Sequence, residues 1–185
     1  MIRVAVFASG GGSNLQALFD ALEGRQDAAV VLVASDRADA MALERARARA
    51  VQTAVVAPDD AAGMLALLEA GQVDWIVLAG YLKRVPVEVV RRYRNRILNI
   101  HPALLPAHGG KGMYGERVHA AVLKAGEKVS GASVHLVDEE YDRGPVVAHE
   151  TVAVEPGDTS AALAARVLGW GRNTLTRKIQ ELGLE

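Results

Sequence analysis

The sequence predicts an α/β fold: a Rossmann-like, open, mostly parallel sheet with helices on both faces. Three observations predict it. Over roughly the first hundred residues, short branched-aliphatic runs alternate with segments whose apolar residues fall at helical spacing. A glycine-rich turn joins the first run to the first helical segment. Aromatic residues make up only 4% of the chain, so its core must be built from small and branched aliphatics that let helices lie close on a buried sheet.

The elements follow in order. Arg3 to Ala8 reads as a buried strand, and Ser13 to Glu23 as a helix with Leu15, Leu18, Phe19 and Leu22 on one face. Ala28 to Ala34 is the second strand, and Asp39 to Ala50 a helix carrying Met41 and Leu43. Thr53 to Ala57 is a weak third strand. Asp59 to Ala70 is a helix capped by Asp59 or Asp60. Trp75 to Ala79 is the fourth strand, Val87 to Tyr93 a short helix started by Pro86, and Arg96 to Ile100 the fifth strand. Right-handed crossovers are the expectation for such units.

The rhythm breaks after His101. Pro102 to Gly115 holds two prolines and four glycines, so it is a long loop, of the kind that carries function or mobility. A helix (Glu116 to Leu123), a strand (Ser130 to Val137), an acidic turn and a strand (Val146 to Val154) come next. Asp158, Thr159 and Ser160 cap a last helix through Val167. With no repeat and no linker, residues 1–185 read as a single domain.

Composition narrows the function. Half of the 185 residues are hydrophobic and 23% are charged, the balance of a folded globule rather than a disordered chain. The chain has no cysteine, which excludes disulfides, thiolate metal sites and a cysteine nucleophile. With 21 basic and 22 acidic side chains the net charge is −1, which does not suggest a nucleic-acid or acidic-membrane binder. The N-terminal apolar run is too short for a signal peptide, and Trp75 to Leu82 is too short to span a bilayer; the expected location is the cytoplasm.

Three motifs could carry chemistry. Ser9-Gly10-Gly11-Gly12-Ser13-Asn14 lies between a strand and a helix. Glycines there let backbone N–H groups approach an anion at the helix N-terminus. It is not a P-loop, since no Gly-Lys-Ser/Thr follows. Gly10-x-Gly12 is half a dinucleotide fingerprint, with Leu15 at the third glycine position and Asp36 where a ribose-binding acid would stand. A tight turn with no ligand is the alternative.

The second motif is Asn99-Ile100-His101-Pro102. Strand alternation points Asn99 and His101 the same way, at a strand's C-terminal end. An amide beside an imidazole can polarise a carbonyl and deliver a proton. The third is Gly131-Ala132-Ser133-Val134-His135, followed by Asp138-Glu139-Glu140-Tyr141-Asp142-Arg143-Gly144-Pro145. Ser133 and His135 share a strand face. Asp138 and Glu139 read as a solvated turn, whereas Asp142 lies in a turn that fixes its carboxylate. A carboxylate near His101 would raise the imidazole's pKa. Ser133, His101 and Asp142 make a hydrolase triad on paper, but no Gly-x-Ser-x-Gly elbow supports it. His101, His108, His119, His135 and His149 lack any recognised metal-ligand spacing. The basic run Arg91 to Arg96 reads as a solvated helix end or as an attractor for an anionic substrate.

These strings resemble the folate-dependent formyltransferases, and among them the phosphoribosylglycinamide (glycinamide ribonucleotide) formyltransferases. The resemblance rests on Ser9-Gly10-Gly11-Gly12-Ser13-Asn14-Leu15-Gln16, Leu78-Ala79-Gly80-Tyr81, Ile97 through Pro106, and Gly131 through His135 with Asp142-x-Gly144-Pro145, and it covers nearly the whole chain. It implies formyl transfer from 10-formyltetrahydrofolate to the amine of 5'-phosphoribosylglycinamide in purine biosynthesis. It implies two small-molecule substrates, no nucleic acid, no membrane, no metal, and a monomer or homodimer. By the same resemblance Asn99, His101 and Asp142 are catalytic, with Asp142 holding His101 protonated; Ser133 and His135 support them. Gly12, Ser13 and Asn14 take the phosphate, while Leu82, Lys83, Arg84, Val85, Asn99, Asp138, Glu139, Glu140 and Tyr141 hold the folate.

The chain departs from the family pattern near its end. Gly171-Arg172 stands where a Glu-His pair is usual, and Leu175-Thr176 where Tyr-Pro is. A formyltetrahydrofolate hydrolase and a binding-only relative are the alternatives this leaves.

Overall fold

The structure, a computed structural model, describes residues 1–169. Gly171, Arg172, Leu175 and Thr176, the positions that depart from the family pattern, lie outside the described residues. The strands are β1 (Ile2–Phe7), β2 (Ala28–Ser35), β3 (Gln52–Val55), β4 (Trp75–Leu78), β5 (Ile97–His101), β6 (Val129–Leu136) and β7 (Val146–Ala153). The helices are α1 (Ser13–Leu22), α2 (Met41–Arg47), α3 (Ala61–Ala70), α4 (Val87–Arg92) and α5 (Glu116–Lys124). Residues 160–169 are also helical. The strand order in the sheet is β3-β2-β1-β4-β5-β6-β7, the doubly wound arrangement the alternation predicts.

The described residues form two compact units, one over Met1–Leu98 and one from Asn99 onward. In the first, β1 pairs in parallel with both β2 and β4, and β2 with β3. Parallel strands covered on both faces need continuous apolar runs, and β1 supplies one: Val4, Ala5, Val6 and Phe7 are all buried. Leu15, Leu18, Leu43, Met64 and Leu68 from the helices are buried with them. Asp60 caps α3, accepting from the Gly63 N–H at 2.8 Å, a bond of the kind worth about 1 kcal/mol to a helix. α2 is shorter than the sequence predicts. Its flanks are taken up by an Arg37–Asp39 ion pair at 2.8 Å and by Ala50 at φ 56°, a left-handed residue that ends the turn.

In the second unit β6 and β7 run antiparallel, with Ser133 opposite His149. The long connection from 102 to 115 is a loop, as its composition predicts, and α5 follows it. Val118, His119 and Val122 form the buried face of α5. Arg166 pairs with Asp158 at 2.7 Å, fastening the start of the last helical stretch. Strand β5 runs one residue further than predicted, ending at His101. Among the described residues no helix is long and apolar enough to cross a membrane.

Candidate active site

The second unit gathers polar side chains that a sheet of this kind would otherwise fill with aliphatics. His101, Ser133 and His135 are buried at 3%, 0% and 2% exposure. Each comes from a strand, so its direction is set by the backbone. Asn99 Nδ2 lies 3.0 Å from His135 Nε2. Asp142 reaches both imidazoles: Oδ2 is 3.6 Å from His101 Nδ1, and Oδ1 is 3.4 Å from His135 Nε2. The structure thus brings together Asn99, His101, His135 and Asp142 from β5, β6 and the turn after β6.

The turn is shaped to deliver Asp142. A Cβ on Gly144 would lie 1.8 Å from the Leu136 carbonyl oxygen, so only glycine lets the chain return this close to β6. Leu136 N–H then donates to the Pro145 carbonyl at 2.9 Å. Asp142 itself takes a left-handed conformation, φ 54°, which Asp tolerates better than most residues. Its Oδ2 accepts from the Gly110 N–H at 2.9 Å, tying the turn to the long loop.

Tautomers follow from the partners. A carbonyl oxygen only accepts, so His101 Nε2, 2.9 Å from the His108 carbonyl, carries a proton. His135 Nδ1 is 2.9 Å from the Leu136 carbonyl and likewise donates. His108 adopts φ 53°, and its ring Nε2 faces Glu127 Oε1 at 3.6 Å.

The electrostatics differ from the sequence expectation at one point. Burial pushes the His101 imidazole below its ordinary value of 6.5. Asp142 and the His108 carbonyl oppose the shift, as a nearby carboxylate should, but do not overcome it; His135 and His108 add repulsion. The resting His101 ring is therefore disposed to be neutral rather than held as an imidazolium. For Asp142, burial pushes upward, but the His135 contact, the Gly110 N–H and the neighbouring imidazoles outweigh it and hold the carboxyl below its ordinary value. His119, 1% exposed, is pushed down by burial first and by His101 second, with Glu116 opposing.

Ser133 is committed elsewhere. Its Oγ donates to the Ala103 carbonyl at 2.8 Å and accepts from Leu105 N–H at 3.0 Å. It clips the loop start to β6 and is not bonded to a histidine, which removes the hydrolase triad. Asp138, Glu139, Glu140 and Tyr141 are exposed in the turn, with Asp138 Oδ1 accepting from Glu140 N–H at 2.8 Å. Among the described residues no group of three or more metal-ligating side chains is arranged around a common point.

The remaining candidates belong to the first unit. Gly12 ends the glycine turn at φ 69°. A Cβ there would sit 2.8 Å from Ala42 Cα, so glycine is required on both counts. Ser13 is exposed; Asn14 is buried, and its Oδ1 has no hydrogen-bond partner. Leu82, Lys83 and Arg84 are exposed and Val85 is buried, in the connection after β4. Ser9 joins the two segments, its N–H donating to the Gly80 carbonyl at 3.0 Å and its Oγ accepting from Leu82 N–H at 2.9 Å. Asp36 Oδ1 and the Tyr81 hydroxyl are buried without partners, and burial, with Asp36 adding to it, pushes the Tyr81 phenol up to about 12. The basic run folds over its own aromatic: Arg92 and Arg96 lie 5.8 and 5.1 Å from the Tyr93 ring centre.

Sequence reasoning missed the backbone partners, the His108 carbonyl and the Gly110 N–H, because backbone groups have no letter in a sequence. The glycine content of the loop was the available signal. It also gave His119 no role, and a lone histidine on a helix carried no cue to its burial.

The formyl transferase family model matches residues 2–179. The chloroplastic phosphoribosylglycinamide formyltransferase of Arabidopsis thaliana is 43% identical over 175 residues, covering 90% of this chain and 60% of the relative. The chain thus spans about 60% of that relative's length. The phosphoribosylglycinamide formyltransferase of Bacillus subtilis is 35% identical, covering 90% of this chain and 87% of the relative. The crystal structure of phosphoribosylglycinamide formyltransferase from Brucella melitensis superposes with a TM-score of 0.88 at 38% identity, covering 100% of this chain and 97% of that one.

Proposed function

The chain belongs to the formyl transferase family, and on that premise we propose that it transfers a formyl group from 10-formyltetrahydrofolate to the amine of 5'-phosphoribosylglycinamide, a step of purine biosynthesis. The observation that carries the reading is the contact of Asp142 with both His101 and His135, beside the Asn99 amide. In this reading the chain acts as one formyltransferase domain in the cytoplasm, as a monomer or homodimer, on these two small molecules.

The chemistry follows from the groups. The unprotonated amine attacks the formyl carbon, and negative charge gathers on the formyl oxygen. Asn99 offers an amide N–H to it, a donor worth about 3 kcal/mol in the transition state. His101 Nε2–H stays on the His108 carbonyl and fixes the ring. Because burial keeps the His101 ring neutral, Nδ1 is open to take the proton the amine sheds. The resulting imidazolium forms against the Asp142 carboxylate, so the charge appears where it is favoured. The same proton then passes to the leaving folate nitrogen. Gly12, Ser13 and Asn14 take the substrate's phosphate, while Leu82, Lys83, Arg84, Val85 and the turn from Asp138 to Tyr141 hold the folate.

A donor carrying a carbon-13 formyl group tests the reading. The label is expected in an amide of the ribonucleotide, read by carbon NMR. Label released only as formate would mean hydrolysis instead and would overturn it.

A further inference from the structure

All three carbonyls of the glycine turn are already taken. The Gly10 carbonyl accepts from Ala42 N–H at 3.1 Å, and the Gly12 carbonyl from Gln16 N–H at 2.9 Å. The middle one, Gly11, accepts from a side chain: Arg45 Nε, at 2.8 Å. In a trans peptide the N–H of the next residue points opposite to the carbonyl. Turning these carbonyls toward α1 and α2 therefore turns the N–H groups of Gly11, Gly12 and Ser13 the other way. None of those three donates to another group among the described residues. Beside them Asn14, 8% exposed, keeps its Oδ1 unbonded.

Two of the three tethers are backbone bonds that any sequence could make. The third depends on one residue. We propose that Arg45 is the positioning residue of the anion cradle: it holds the Gly11–Gly12 peptide in the orientation that presents the Gly12 N–H to a phosphate. The inference rests on the reading of this turn as the phosphate site.

Arg45 is itself braced for the task. Its Nη1 donates to Gln16 Oε1 at 3.2 Å, and Gln16 Nε2 donates to Asp20 Oδ1 at 2.7 Å. Arg49 holds Asp20 from the far side at 3.1 Å. The guanidinium thus bonds α1 and the turn at once with a planar fork, a geometry that lysine cannot reproduce. A Cβ on Gly12 would lie 3.3 Å from Arg45 Cδ, so the stem also packs directly on the turn. The charge of Arg45 adds to the partial positive charge at the start of α1.

The test compares the wild-type chain with Arg45→Met and Arg45→Lys. The first readout is the rise in Tm caused by inorganic phosphate, relative to chloride at equal ionic strength. The wild-type chain should show a rise and both variants should lose most of it. The second readout is steady-state turnover. KM for the phosphoribosyl amine should rise about tenfold in both variants, the loss of one charge-assisted bond, with kcat within about two-fold. Full recovery in Arg45→Lys would reduce the role to charge and overturn positioning. An unchanged phosphate response in Arg45→Met would overturn it too, as would a fall in kcat at constant KM. Wild-type phosphate stabilisation without nucleotide-dependent turnover would sink the functional reading, and the variants would still decide the role of Arg45 by the first readout.

Discussion

The Asn99 amide nitrogen lies 3.0 Å from His135 Nε2, and this bond determines which way Asn99 faces. His135 is fixed by its own contacts, with Nδ1 2.9 Å from the Leu136 carbonyl and Nε2 placed between the Asn99 amide and Asp142 Oδ1 at 3.4 Å. One imidazole nitrogen therefore ties the Asn99 amide to the carboxylate. Strand β6 in this way orients the donor that β5 carries.

Removing either member should damage chemistry more than binding. Asn99→Ala should lower kcat about 100-fold, the cost of one oxyanion donor. His135→Leu leaves the amide present but free to rotate, and should lower kcat about 10- to 100-fold. KM for the nucleotide should stay within about two-fold in both. Steady-state kinetics check this, and an unchanged kcat in His135→Leu would refute the orienting role.

The Asp142 carboxylate should set the acid limb of the pH–rate profile. It raises the proton affinity of His101 against the larger effect of burial. Asp142→Asn removes that support, so the His101 pKa falls further. If neutral His101 is the active form, the acid limb of kcat then moves to lower pH, while the plateau drops about 100-fold because the imidazolium loses its partner. A limb that moves to higher pH would contradict the assignment.

Ser133 should matter to the fold of the loop. Its hydroxyl satisfies both the Ala103 carbonyl and the Leu105 N–H. Ser133→Ala leaves the buried Ala103 carbonyl and the part-buried Leu105 N–H unpaired, at a cost of about 1–3 kcal/mol. Urea titration should report that loss through the midpoint at constant slope. Stability equal to wild type would show that water replaces the hydroxyl without penalty.

His119 should make the chain sensitive to acid. Its folded pKa lies below the ordinary 6.5, from burial first. The unfolded chain then binds more protons than the folded one as pH falls below about 6.5. Stability is full above that value and is lost as pH drops through the depressed folded pKa. His119→Leu should flatten part of the decline in Tm between about pH 7 and 5, with His101 keeping the remainder. An unchanged slope would mean that His119 does not titrate on unfolding.

Much of this arrangement was legible in the sequence, and the reasons are physical. Val4 to Phe7 and Ala28 to Ala34 are continuous apolar runs, and only strands buried on both faces need those. Asn99 and His101 were readable as a pair because strand alternation fixes their common direction. What was not legible depends on free energies that compete at a distance. The burial that outweighs Asp142 at His101 comes from packing, and no local string records it. The shortened α2 is a second case: Asp39 looks like a helix start, but it pairs with Arg37 before the helix begins. Arg45 is a third, since its partner Gly11 is 34 positions away in the chain.

The central claim is that this chain moves a formyl group to a nucleotide amine through His101. The most direct measurement is the initial rate of 10-formyltetrahydrofolate loss, followed by absorbance with and without 5'-phosphoribosylglycinamide, for the wild-type chain and for His101→Ala. The account predicts loss that depends on the nucleotide and that falls at least about 100-fold in the variant. Equal loss with and without the nucleotide, or a variant as fast as wild type, would contradict it.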